Sequence, residues 1–126
     1  MGAPAADWLF DLGNTRLKLP PLSRDGHVGE VQARAHASPD WCVRLPSGDT
    51  AWVCDVASSA VSLELLQALA TRFRRVSIAR TSAAFAGVRV AYAQPGRLGV
   101  DRFLALLGAR AMGATPWLVV GVGTAL

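Results

Sequence analysis

An apolar stretch, "WLF", within residues 7 to 12 and an alternation of polar and apolar positions from Thr15 to Leu19 predict two short strands, 7 to 12 and 15 to 20. Gly13 and Asn14 lie between them, two residues that tolerate positive φ and suit a tight reversal. Pro20-Pro21 ends the second strand and "SRDGH", residues 23 to 27, reads as a turn. Residues 28 to 36 alternate once more, so the chain opens with a meander of three antiparallel strands. Ser38 as a cap and Pro39 at a first helical position predict a short helix over 38 to 45. An apolar strand follows at 50 to 57. Ser58, Ser59 or Ser62 then caps a helix running to about Arg75, with Val61, Leu65, Leu69 and Phe73 as its buried stripe. Short strands are expected at 76 to 80 and 88 to 92. A helix is expected near 100 to 112, with Val100, Phe103, Leu104, Leu107 and Ala111 on one face and Gly113 as its stop. "PWLVVGV", 116 to 122, reads as a strand buried on both faces. The sum is an α/β fold: a mixed sheet of an antiparallel three-strand meander plus parallel strands, with helices against it.

Candidate chemistry falls in three places. Asp11 ends the first strand, where an unpaired carboxylate inside a core is costly. One reading is a hairpin tip with a solvated Asp. The other is a loop that holds phosphate: Gly13 admits close backbone approach, successive N–H groups point at an anion, Thr15 offers a hydroxyl and Lys18 a positive charge. In that reading Asp11 holds a hydrated Mg²⁺. The stretch is neither a Walker motif nor G-x-G-x-x-G. The second place is "YAQPGRLGVDRF", residues 92 to 103, which sets Gly99, Asp101 and Arg102 at the start of a helix. Asp101 suits a proton acceptor and Arg102 a carboxylate or phosphate holder. Ordinary first-turn capping accounts for an acidic residue there as well. The third is "VVGVGTAL" at residues 119 to 126, either a glycine-softened strand end or the start of a second loop like "LFDLGNT".

Taken in order, these stretches resemble the type III pantothenate kinases, a family that includes the Bvg accessory factor proteins. Its D-x-G-N-[TS] loop is matched at Asp11, Gly13, Asn14 and Thr15, and Lys18 follows. Its segment Y-x-x-P-x-x-L-G-x-D-R is matched at Tyr92, Pro95, Leu98, Gly99, Asp101 and Arg102, and its D-x-G-T-A block at Gly123, Thr124 and Ala125. The resemblance implies an actin-like, ribonuclease H-like lobe of the acetate and sugar kinase/Hsp70/actin superfamily. It also implies ATP-dependent phosphorylation of the primary hydroxyl of pantothenate, the first step toward coenzyme A. Asp101 is then the catalytic base, with Tyr92, Gly99, Val100 and Arg102 around pantothenate. Asp11, Leu12, Gly13, Asn14, Thr15, Arg16, Leu17 and Lys18 meet the ATP phosphates together with Thr124. Mg²⁺ at Asp11, a monovalent cation (K⁺ or NH₄⁺) and a homodimer whose sites use both subunits are further implied. At the D-x-G-T-A block Gly121 stands where the family has its acidic residue, which weakens the cation expectation. The family chain is roughly twice as long, two lobes of ordinary domain size, so residues 1 to 126 are expected to be the first lobe alone and inactive by itself. A different class of function, a non-catalytic regulatory or dimerising protein of the Bvg accessory factor type, is the alternative. Gly121 and the expectation of a first lobe alone favour it; Asp11, Asp101 and Arg102 oppose it.

Composition narrows the remaining classes. The 126 residues are 52% hydrophobic and 17% charged with a mean hydropathy of +0.30, enough for one buried core. No apolar run reaches the length of a membrane span, and "MGAPAADW" has no signal-peptide pattern. The net charge of +4 comes from scattered arginines, with one cluster, "RFRR" at 72 to 75, placed where cations complement a helix end. That cluster lacks the interleaved aromatics of a single-strand-binding surface, so nucleic acid is not expected as a partner, and the absence of a span-length apolar run leaves no membrane partner expected either. Cys42 and Cys54 have no metal or thiol-motif spacing and read as small apolar fillers in a reducing cytoplasm.

Overall fold

The two expected opening strands form an antiparallel pair, β1 (Asp7–Leu12) and β2 (Arg16–Leu19), with Asp11 opposite Lys18 and Leu12 opposite Leu17. This computed structural model describes residues 6 to 123. It divides after Ala79 into two compact units.

In the first unit β3 (Pro21–Leu22) folds back onto the start of β1, and β4 (Gln32–Ala35) pairs with β2. β5 (Gly48–Asp55) runs parallel to β1, and β6 (Phe73–Ile78) runs parallel to β5. The sheet order is β4-β2-β1-β5-β6, with β3 at the flank of β1, so the expected meander plus parallel strands is what forms. Helix α1 (Ser59–Ala70) makes the crossover that a parallel β5–β6 pair requires. Phe10, Leu12, Leu17, Leu19, Ala51 and Val53 from the sheet meet Leu65 and Leu69 of α1 in one core. Phe10 and Phe73 meet edge to face, ring centres 5.6 Å apart. Cys42 packs at the edge of this core, as a small apolar filler should, and burial pushes its thiol pKa up.

Several boundaries differ from the sequence expectation, each for a physical reason. α1 stops at Ala70 rather than near Arg75, because Phe73 buries its ring as the first residue of β6. Ser58 does occupy the N-cap, yet its hydroxyl makes no capping bond. The strand expected over 28 to 36 is confined to Gln32–Ala35, with a lone bridge from Leu22 to Val28. The turn before it closes on Gly26 at φ 88°, where Ser23 and His27 hold the Asp25 carboxyl below its usual range. No helix forms over 38 to 45. The Arg34 guanidinium instead takes the carbonyls of Trp41, Val43 and Arg44, and Arg44 sits at φ 57°, which a helix does not admit.

In the second unit β7 (Ala84–Phe85) and β8 (Val88–Arg89) form a small hairpin, turned by Ala86 and Gly87 at φ 48° and 82°. Those two left-handed residues are the signature of a primed hairpin turn, and the strand expected to reach residue 92 stops at Arg89. A 3-10 turn, Pro95–Arg97, leads into α2 (Val100–Met112). Phe103, Leu98 and Val90 form a second, smaller core with Leu106 and Leu107 beside it. Leu104 and Ala111, expected on the buried face, are exposed. The expected buried strand over 116 to 122 does not form: no described strand pairs with it, and Leu118 is 90% exposed. Among the described residues no helix is long and apolar enough to cross a membrane.

Candidate functional site

The pleat sorts the residues of the first candidate. Leu12 and Leu17 point into the core and are fully buried, so the alternate positions, Asp11 and Lys18, are exposed directly across from each other. The chain reverses through Gly13, Asn14 and Thr15, closed by the Gly13 N–H donating to the Arg16 carbonyl at 2.9 Å. Asn14, Thr15 and Arg16 are exposed at the tip. Neither Gly13 nor Asn14 takes a positive φ, which corrects the turn chemistry expected from the sequence. A Cβ on Gly13 would lie 3.5 Å from the Arg16 carbonyl oxygen, an ordinary contact. The reversal therefore does not require glycine.

The hairpin tip stands at the carboxyl end of β1, beside the carboxyl end of the parallel strand β5, with Leu12 paired to Asp55. The Val56 N–H donates to the Leu12 carbonyl, and the Asp55 carboxylate accepts the Ala57 N–H at 2.9 Å before α1 begins. At the other end of the same strands the Asp7 carboxylate accepts the Thr50 N–H and the Trp52 indole N–H. Among the described residues no three His, Cys, Asp or Glu side chains gather to hold a metal ion. Mg²⁺ keeps most of its water and binds through one or two carboxylates and phosphate oxygens, so an exposed carboxylate is the kind of ligand it takes, and Asp11 is exposed.

The second candidate belongs to the other unit. Gly99 is the N-cap of α2, and Val100, Asp101 and Arg102 form its first turn. Asp101 and Arg102 are exposed while Phe103 is buried, so the helix start is anchored by one residue and displays the two before it. The Asp101 Oδ1 accepts the Arg102 N–H at 2.8 Å. A Cβ on Gly99 would lie 2.9 Å from that same oxygen, so glycine is what lets the carboxylate stand there. The Thr81 hydroxyl donates to the Leu98 carbonyl at 2.8 Å and ties down the segment leading into the helix. Tyr92 is half-exposed in unpaired chain after β8. Of the third place, Gly121 and Gly123 are exposed, and Thr124 and Ala125 lie outside the described residues. Asp7, Asp55 and Thr81 carried no signal in the sequence, because each acts on a backbone group or indole that only the fold brings near.

The hairpin tip lies at the carboxyl edge of the parallel strands β1 and β5, the edge at which open α/β sheets bind ligands, and the class is an α/β protein with a mixed sheet. Within it the chain belongs to the type III pantothenate kinase family, whose model matches residues 8–126. It is 54% identical to the type III pantothenate kinase of Xanthomonas campestris pv. campestris strain B100, covering 96% of this chain and 50% of that one. It is 53% identical to that of Stenotrophomonas maltophilia strain K279a, covering 96% and 51%. The type III pantothenate kinase of Xanthomonas oryzae pv. oryzae strain PXO99A is 51% identical over 96% of this chain and 50% of its own length. The chain spans about half the length of the curated relatives it matches.

Proposed function

We propose that the full-length protein carrying this chain phosphorylates the primary hydroxyl of pantothenate with ATP, and that residues 1 to 126 are its first lobe. The observation that carries this is the β1–β2 hairpin, with Asp11 and Lys18 opposed on its exposed side and Thr15 at its tip. In this reading backbone N–H groups of the hairpin, the Thr15 hydroxyl and Lys18 hold ATP phosphates, with Leu12, Arg16 and Leu17 as its frame and Thr124 as a donor from the later block. Asp11 holds Mg²⁺, which when bound neutralises phosphate charge. Tyr92, Gly99, Val100 and Arg102 hold pantothenate. The hydroxyl oxygen forms a bond to the γ-phosphorus, the bond from that phosphorus to the β,γ-bridging oxygen breaks, and the hydroxyl proton passes to Asp101. The products are 4'-phosphopantothenate and ADP. The lobe belongs in this reading to the acetate and sugar kinase/Hsp70/actin superfamily, and the protein works in the cytoplasm as a homodimer. Gly121 supplies no carboxylate where the family has its acidic residue, which weakens the case for K⁺ or NH₄⁺, and no step here passes through that cation. The same glycine favours a second reading, a non-catalytic regulatory or dimerising protein.

Coupled ADP release with pantothenate separates these readings. The full-length protein is expected to turn over, and the 126-residue chain is not, because phosphoryl transfer needs metal, donors and nucleophile aligned at once. Turnover by the 126-residue chain at about 1 s⁻¹ or faster, an ordinary enzyme rate, contradicts the need for a second lobe. An inactive full-length protein contradicts the kinase reading.

Gly13→Ala tests the hairpin by itself. Its Cβ fits the reversal, so the melting temperature is expected to stay within a degree or two, about the effect of a neutral surface change. The methyl group stands where phosphate must approach the backbone, and losing one charge-assisted hydrogen bond weakens ATP binding about tenfold or more. Unchanged ATP affinity would place the phosphates elsewhere.

A further inference from the structure

The loop after β4 closes along the flank of the β1–β2 hairpin, and the hairpin motif does not account for how it is built. β4 pairs with β2 as far as Arg16 and Ala35, and one residue further the His36 N–H donates to the Thr15 carbonyl at 3.0 Å. The tip of the hairpin is thus gripped from outside at Thr15. That bond continues the β2–β4 ladder by one step, and the His36 ring beside it lies against Trp41 with ring centres 5.0 Å apart and planes inclined by 48°. Trp41 is 4% exposed and sits in the same core as Leu12 and Leu17, the two residues that flank the tip. The turn carrying Trp41 is pinned in its own right by the Arg34 guanidinium on the carbonyls of Trp41, Val43 and Arg44. The His36 Nε2 is buried without a hydrogen-bond partner. Leaving a buried polar nitrogen unbonded is costly, so that nitrogen adds nothing to the contact and the ring's packing on Trp41 is what the structure shows.

We infer that His36 and Trp41 are positioning residues for the nucleotide: their ring contact fixes Thr15, and through Thr15 the row of backbone N–H groups at the hairpin tip. This rests on the reading of the hairpin as the holder of ATP phosphates. On this inference both act through the Thr15 carbonyl, which accepts the His36 N–H. Small displacements of a positioning group are enough to cost much of its effect.

The test is steady-state kinetics on the full-length protein with His36→Ala, His36→Phe and Trp41→Leu. His36→Ala and Trp41→Leu are expected to raise KM for ATP about fivefold or more while KM for pantothenate stays within about twofold. His36→Phe restores a flat ring without the unbonded nitrogen and is expected to return KM for ATP to near wild type. If His36→Ala is not recovered folded, Trp41→Leu and His36→Phe carry the comparison. The inference is overturned if KM for ATP stays within twofold of wild type in the ring-removing variants. It is equally overturned if both KM values rise together, or if His36→Phe fails to restore the wild-type value. Wild-type activity is the control. An inactive wild type overturns the nucleotide reading and this inference with it, whereas an active wild type with an unmoved KM for ATP overturns this inference alone.

Discussion

Asp101→Asn in the full-length protein is expected to lower kcat by about 10²–10⁴, the usual cost of losing a general base. The substitution preserves shape, and its amide oxygen still accepts the Arg102 N–H that Asp101 accepts at 2.8 Å. Asp101 is exposed and outside the small core of Phe103, Leu98 and Val90, so the melting temperature should not follow the rate. KM for pantothenate should change little, because the lost interaction belongs to the transition state. Gly99→Ala reaches the same carboxylate indirectly. With Gly99 at φ −55° alanine is allowed in the backbone, but its Cβ would meet the Asp101 Oδ1 at 2.9 Å and push it aside. A displacement of that kind costs about 10²-fold at most in a reaction governed by positioning. Wild-type kcat in Asp101→Asn would remove Asp101 from the chemistry.

The largest effect on stability is expected at Phe10. It is 1% exposed, and its ring meets Phe73 edge to face, joining β1 to β6 across the intervening strand β5. Phe10→Ala removes that ring from a packed core, and such truncations cost about 3–5 kcal/mol. Equilibrium unfolding in urea measures it, since the midpoint moves in proportion. Asp11 follows on the same strand, so ATP binding should fail together with the fold in this variant, in contrast to Gly13→Ala. A loss below about 1 kcal/mol, the size of a surface change, would mean that the two rings do not hold the sheet.

The parts of this fold that were legible in the sequence are those in which a local period and the final packing agree. Leu65 and Leu69 sit one turn apart and are both fully buried on α1, as their spacing requires. The alternation around Asp11 and Lys18 likewise survives as the pleat of β1 and β2. Long-range contacts decided the rest. Phe73 keeps the four-residue spacing of the helix stripe, yet its best burial is on Phe10, and the chain leaves the helix to reach it. Ser38-Pro39 is a sound helix start, but Arg34 from the neighbouring strand captures the carbonyls that a helix would use. The run from Trp117 to Val122 has strand composition and no paired strand among the described residues, so composition alone could not place it. At the candidate sites Asp11, Lys18, Asp101 and Arg102 were legible in the sequence as candidates, and the fold leaves all four exposed. His36 and Trp41 were not, since a lone histidine and a core tryptophan announce nothing until their rings meet.

Gly13 has an evolutionary consequence. The turn it occupies closes without a positive φ and has room for a methyl group. Selection for folding alone is therefore indifferent between glycine and alanine here, and mutational drift would exchange them freely. On the proposed reading, in which phosphate approaches the backbone at Gly13, a lineage that abandons phosphoryl transfer while keeping this sheet would lose Gly13 early, whereas one that retains the reaction is held to it. Across descendants of this lobe, the residue at position 13 would then record which of them remained enzymes.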